Sequence, residues 1–165
     1  MNTRKRSRGF SLIELLIVVT IILIIAAIAI PRLLQVKQLA NATAAVSNMR
    51  SINTAETAYA SEFPSLGYSV SLTDLGGTVG QTTAAPTSTQ ANLVDESLAN
   101  SGTTAKQGYI FAYDTSMNTA APFTVYTMTG TPQGNTATRD FFTDQTSEIR
   151  YADGAAATAT SSLIG

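Results

Sequence analysis

Acidic side chains are the main groups in this sequence that could do chemistry. The 165 residues include no histidine and no cysteine, which removes the usual general base, the thiol nucleophile and nearly every zinc site. Near the C-terminus, Asp140, Asp144, Glu148 and Asp153 follow one another closely. Paired carboxylates can serve acid/base catalysis, and carboxylate oxygens can bind Ca²⁺. The spacing of these acids is not that of an EF-hand, so we predict that they form a solvated strand-turn surface. For the chain as a whole we predict no enzyme, no cofactor and no metal. Asp140, Asp144 and Glu148 remain a minor alternative as calcium ligands.

Another carboxylate, Glu14, has unusual neighbours. It is the one formal charge between Phe10 and Ile30, in a run of β-branched, leucine and alanine residues. A helix of that length, at about 1.5 Å per residue, spans the roughly 30 Å of a bilayer's hydrocarbon core. The run therefore predicts a membrane-spanning helix that carries a single acid, which is costly at the bilayer centre and less so near the interface.

The residues before this run give its direction. Arg4, Lys5, Arg6 and Arg8 precede it without any acid, so the positive-inside rule keeps the N-terminus in the cytoplasm. An ordinary secretory signal would end in small residues after 7 to 15 apolar positions, and this run is longer. Without these four cations the remaining side chains carry 6 positive and 11 negative charges, a net charge of -5. Such an acidic chain, with scattered Lys and Arg, does not indicate a nucleic-acid surface.

The stretch GFSLIELLIVVTIILIIAAIAIP resembles the N-terminal signature of type IV pilins and of the pseudopilins of type II secretion. The resemblance implies that a prepilin peptidase removes residues 1–9 by cutting between Gly9 and Phe10. It further implies that the amine of Phe10 is N-methylated, that Glu14 is used in assembly, and that Pro31 ends the apolar segment. Many pilins close a C-terminal loop with a disulfide, which this cysteine-free chain lacks.

Within a bundle of such helices, Glu14 would need a cation. Cleavage would supply one as the terminal amine of Phe10, and two pairings remain open. Glu14 could pair with the amine of its own chain or with that of a neighbour, and the second pairing would fix the axial register of a filament. A slip would then leave a buried charge unpaired, at a cost of several kcal/mol.

The chain as a whole predicts an α+β fold, and the resemblance implies that this is the pilin fold. We expect residues 10–31 to form the transmembrane and assembly helix and residues 32–64 its amphipathic half, with a kink at Pro31. One face would be apolar, and the polar face would turn to water or neighbours. Its apolar face comprises Leu39, Ala42, Val46, Met49, Ile52, Ala55, Tyr59 and Phe63, and its polar face includes Asn48, Arg50, Asn53 and Glu56.

After Pro64 the pattern changes twice. Residues 65–104 are rich in Ser and Thr, and we expect a loop with Leu72 and Leu75 pointing inward and a short helix ending at Gly102. The resemblance implies that this is the variable region. Residues 105–165 predict about four strands of an antiparallel sheet that packs on the long helix, and the first two of these strands alternate. These strands are KQGYIFAYDT, FTVYTMTG, TRDFFTD and SEIRYAD, and Ser147 stands in the last turn where the resemblance implies glycine.

The sequence thus predicts a structural subunit of a type IV pilus. It would be held in the inner membrane by one span with a cytoplasmic N-terminus and then polymerise with copies of itself on the cell surface. The resemblance implies as partners the prepilin peptidase and N-methyltransferase, an assembly ATPase with its membrane platform, and membrane lipid. A major pseudopilin of type II secretion is the nearest alternative, and a membrane-anchored periplasmic binding domain that never polymerises is the more distant one.

Overall fold

The computed structural model describes residues 10–77, 85–134 and 137–164. One long helix, α1, runs from Leu12 to Glu62 and is followed by the short helices α2, Leu72–Leu75, and α3, Glu96–Ala99. A 3-10 turn at Asn100–Gly102 continues α3. The predicted leader, residues 1–9, lies outside the described residues, as do residues 78–84 of the variable region.

Contacts divide the chain into two compact units, residues 1–36 and 37–165. The described part of the first unit is the beginning of α1, which is continuous through Pro31. Proline has no amide hydrogen, so the carbonyl of Ala27 has no helical partner there. The helix nevertheless continues past this missing bond.

The second unit contains the sheet. Its strands are β1, Tyr109–Asp114; β2, Thr127–Pro132; β3, Arg139–Asp144; β4, Arg150–Asp153; and β5, Ser162–Leu163. All neighbours are antiparallel, and the spatial order β1-β2-β3-β4-β5 follows the chain. The described sheet has five strands where the sequence predicted about four, because two residues near the C-terminus pair with Arg150 and Tyr151.

The hydrophobic core lies where α1 meets this sheet. Met49, Ile52 and Tyr59 are buried on the helix, and Tyr109, Phe111 and Phe141 are buried on the strands. Each large apolar side chain buried in this way contributes about 1.5 to 3 kcal/mol of transfer free energy. The predicted apolar face is therefore confirmed over its middle, with Leu39 as an exception that remains 66% exposed.

The segment between helix and sheet is held at a few points. Leu72 and Leu75 of α2 are buried, as predicted. Asp95 caps α3 by accepting from the amide of Leu98, and its carboxylate binds the Lys106 ammonium at 2.8 Å. This cation lowers the pKa of Asp95 to about 2. The predicted short helix ending at Gly102 corresponds to α3 and the 3-10 turn.

Candidate assembly segment and polar contacts of the core

The predicted assembly glutamate lies in the first turn of α1. The backbone amide of Ser11 donates to the Glu14 carboxylate at 3.0 Å, which is one half of a capping box. An acid in the first turn also interacts favourably with the positive end of the helix dipole. Glu14 is thus held by its own chain in the isolated subunit. The Ser-x-x-Glu spacing indicates this contact in the sequence. The sequence-based prediction considered only terminal amines as partners of Glu14 and did not include it.

The large apolar side chains are exposed along the whole stretch from Phe10 to Ile30, most of which belongs to α1. Phe10 itself is 82% exposed, and no residue is buried in the most apolar part of the helix. By length and composition, this helix can cross a membrane. Burying these side chains in lipid or against other helices is worth on the order of 20 kcal/mol of transfer free energy. The segment therefore requires an apolar partner.

The acidic residues considered for calcium do not converge. Asp140 is the second residue of β3 and Asp144 is its last. The Glu148 carboxylate binds the Arg150 guanidinium at 2.6 Å. The Asp144 carboxylate accepts hydrogen bonds from the amide and hydroxyl of Thr146. In the ranges 10–77, 85–134 and 137–164, no three acidic side chains are placed to hold a metal ion.

Asn53 is the first of two polar groups buried under the helix. Its amide nitrogen donates to the Thr143 hydroxyl at 2.9 Å, and its carbonyl oxygen accepts from the Tyr126 hydroxyl at 3.0 Å. Burial raises the pKa of the Tyr126 phenol. These bonds join α1 to β3 and to the segment just before β2, so they fix the position of the helix on the sheet.

Glu56 is the second buried polar group, and it is completely inaccessible to solvent. Its carboxylate accepts from the Ser69 amide at 2.9 Å and from the Ser69 hydroxyl at 2.6 Å. The Tyr113 hydroxyl donates to the carbonyl of Ser69 at 3.1 Å. Desolvation raises the pKa of Glu56, and the hydrogen bonds from Ser69 only partly oppose this effect. No lysine or arginine of the described residues forms an ion pair with Glu56.

Comparison with known proteins bears on the N-terminal segment. The profile of the prokaryotic N-terminal methylation motif matches residues 4–30. The type IV major pilin protein PilA of Myxococcus xanthus (strain DK1622) is 46% identical over 57 residues, which are 34% of this chain and 26% of that protein. Both matches support the type IV pilin family. The chain therefore spans about a quarter of the length of this curated pilin relative, and no solved structure matches it.

The matched methylation motif coincides with the segment that carries the predicted site residues. Phe10, Glu14 and the exposed apolar stretch lie within residues 4–30, and Pro31 follows directly. Gly9, the predicted cleavage position, lies outside the described residues. Cleavage, methylation and the role of Glu14 in assembly stay predictions.

The prediction that Asn53 and Glu56 lie on the polar face of the helix was wrong. Both were assigned to the water-facing side because they are polar, and both are buried. A helical period of 3.6 puts Glu56 almost directly below Met49, seven residues earlier, on the core face. The angular position was thus the correct signal, and the chemical type of the side chain was misleading.

Proposed function

We propose that this chain is the structural subunit of a type IV pilus. The observation that carries the proposal is the apolar half of α1, which is exposed from Phe10 to Ile30 and lies within the matched methylation motif. Such a helix is stable in a membrane as a single subunit and in a bundle with copies of itself after assembly. The same segment would thus serve as membrane anchor and as filament core.

Processing would precede assembly. A prepilin peptidase would cut between Gly9 and Phe10 and an N-methyltransferase would modify the new amine of Phe10. An assembly ATPase and its inner-membrane platform would then move the subunit from the membrane into the growing filament. The chain would be the substrate of these enzymes and would itself catalyse nothing.

In the filament, Glu14 would exchange partners. In the isolated subunit its carboxylate accepts from the Ser11 amide at 3.0 Å. The proposal is that a neighbour's methylated amine replaces or adds to this bond, since a carboxylate inside a helix bundle needs a cation. Axial register would then follow from charge pairing.

Intact-mass and N-terminal analysis tests the proposal. The protein is isolated from two fractions, material sheared from the cell surface and cell membranes. A chain that begins at methylated Phe10 and is abundant in the sheared fraction is the expected result. Processed chain confined to the envelope would indicate a pseudopilin of type II secretion, and an intact leader in both fractions would indicate a membrane-anchored domain that does not polymerise.

A further inference from the structure

A groove lies between α1 and the β5 end of the sheet. Its volume is about 410 Å³, and Leu39 and Leu163 are 66% and 51% exposed beside it. Other lining residues are Val46 and Arg50 of α1 and Tyr151 of β4. The groove is therefore lined by both apolar and polar groups, and the cations Arg50 and Arg139 are among them.

Arg50 is the charge in this groove that is left without an acidic partner. The ion pairs within the described ranges join Lys106 to Asp95, Arg139 to Asp153 and Arg150 to Glu148, and none includes Arg50. Its side chain is exposed on the helix surface. An exposed arginine beside exposed leucines is typical of a protein interface, where arginine is enriched.

A second apolar patch lies at the other end of the sheet. Val70 and Met117 are 57% and 64% exposed, and the Thr115 hydroxyl donates to the Val70 carbonyl at 3.5 Å, which ties the two segments together. Asp114, the last residue of β1, directly precedes Thr115 and is exposed, and its carboxylate accepts from the amide and hydroxyl of Ser116. The outer strands β1 and β5 of a five-stranded sheet are about 19 Å apart, so groove and patch are separate surfaces.

We propose that this groove binds the Val70–Met117 patch of a neighbouring copy of the same chain. This inference rests on the proposed filament function. Val70 and Met117 would pack against Leu39 and Leu163, and Arg50 would face the partner's Asp114.

Two observations favour a second copy as the occupant. Among described residues from 37 to 164, the large apolar side chains that remain exposed are Leu39, Val70, Leu93, Met117 and Leu163, and four of these five belong to the groove or the patch. The charges are also complementary, with an arginine at one surface and an aspartate at the other. Since mature copies carry a net side-chain charge of -5 and repel one another, a specific pair of opposite charges would select the correct docking orientation.

The contact joins two different surfaces, so it does not close on itself as a two-fold dimer would. Each copy offers its patch to one neighbour and its groove to another. Repetition of such a heterologous contact generates an open helical assembly, which agrees with a filament subunit.

Chemical cross-linking tests the contact directly, because the natural chain has no cysteine. Sheared filaments of the double variant Met117→Cys/Leu163→Cys are treated with a short bis-maleimide. A ladder of dimers, trimers and higher multimers on a denaturing gel is the expected result. The matched control Val70→Cys/Met117→Cys places both thiols on the patch and should give no ladder.

Charge reversal provides the second test. Arg50→Asp and Asp114→Arg should each lower the yield of sheared filaments several-fold, and the double variant should recover most of it. Glu96→Arg, which reverses an exposed acid outside the patch, controls for net charge. Filaments that form without a ladder and without rescue would overturn this contact alone, whereas absence of filaments from the natural chain would overturn the proposed function as well.

Discussion

The carboxylate of Glu56 accepts two hydrogen bonds from Ser69, one from the backbone amide and one from the hydroxyl. This contact joins the buried face of α1 to the segment that follows the helix. It satisfies the carboxylate oxygens without neutralising the charge, and Asp74 nearby raises the pKa further. The fold therefore contains a buried acid that is easier to protonate than an ordinary glutamic acid.

Stability should consequently depend on pH through Glu56. Its folded pKa is raised above the ordinary value of 4.5, so the folded state binds more protons than the unfolded state between these two values. Stability should fall as pH rises through this window and stay lower above it. Thermal unfolding of the detergent-solubilised full chain, followed by tyrosine near-ultraviolet circular dichroism from pH 4.5 to 8, measures this.

The variant Glu56→Gln isolates the contribution of the carboxyl group. It keeps the shape and removes the ionisation, so its melting temperature should vary less across the same pH range. Glu62→Gln, a change at an exposed glutamate of the same helix, should leave the pH dependence as in the natural chain. A Glu56→Gln profile as steep as that of the natural chain would contradict the assignment.

Tyr126→Phe should destabilise the domain by about 1 to 3 kcal/mol, because it leaves the buried side-chain carbonyl of Asn53 without its donor. Tyr151→Phe is the matched control, since that tyrosine is only partly buried and its ring, which lies under the Arg139 guanidinium, is retained. The control should stay within about 0.5 kcal/mol of the natural chain. Urea unfolding of both variants gives the comparison, and equal effects would show that the Asn53 contact contributes little.

Alanine substitutions at two glycines distinguish the cost of backbone strain from the cost of a steric clash. Gly67 and Gly154 both have a positive φ, +77° and +71°, but a Cβ at Gly67 would collide with the Phe123 carbonyl, and one at Gly154 would meet nothing within 4 Å. Gly154→Ala should therefore cost about 1 kcal/mol. Gly67→Ala should cost at least about 3 kcal/mol, because the paired backbones must separate. Similar melting temperatures for the two variants would mean that the Phe123 segment moves freely.

Glu14→Ala and Glu14→Gln distinguish the charge of Glu14 from its capping role. We expect Glu14→Ala to be processed and inserted into the membrane but to assemble poorly. Glutamine keeps an oxygen that can accept from the Ser11 amide but carries no charge. If assembly requires the charge, both variants should give few sheared filaments. Normal filament yield from Glu14→Gln would assign the residue to capping alone.

The sequence predicted those features that follow from long, regular patterns. The helix, its apolar half and its end before Pro64 come from composition and periodicity, and β1 comes from alternation. The stretch TRDFFTD was predicted as a further short strand and corresponds to β3. The predicted strand from Phe123 was wrong in its first half, since β2 begins at Thr127. The Asn118 side chain accepts from the amides of Thr124 and Val125, so these amides are not available to a neighbouring strand.

Other features depend on contacts that local patterns do not reveal. β5 is two residues long and forms because Ser162 and Leu163 meet β4. Ser147 has a φ of +61°, a conformation that favours glycine. Glycine is the residue that the resemblance implied at this position. For the assembly segment, the sequence indicated Glu14 and the apolar run, whereas the groove beside Arg50 arises only when α1 and the β5 end of the sheet come together.

In the proposed filament, Pro31 would also have a mechanical consequence. Tension along a filament would pull on the backbone of α1, and a helix resists extension through its ladder of hydrogen bonds. That ladder lacks one bond at Pro31, so stretching should begin there. Each residue that changes from helical to extended backbone lengthens the chain by about 1.8 Å. A few residues around the proline would thus let every subunit elongate while its folded domain stays intact, and the filament would yield reversibly before it breaks.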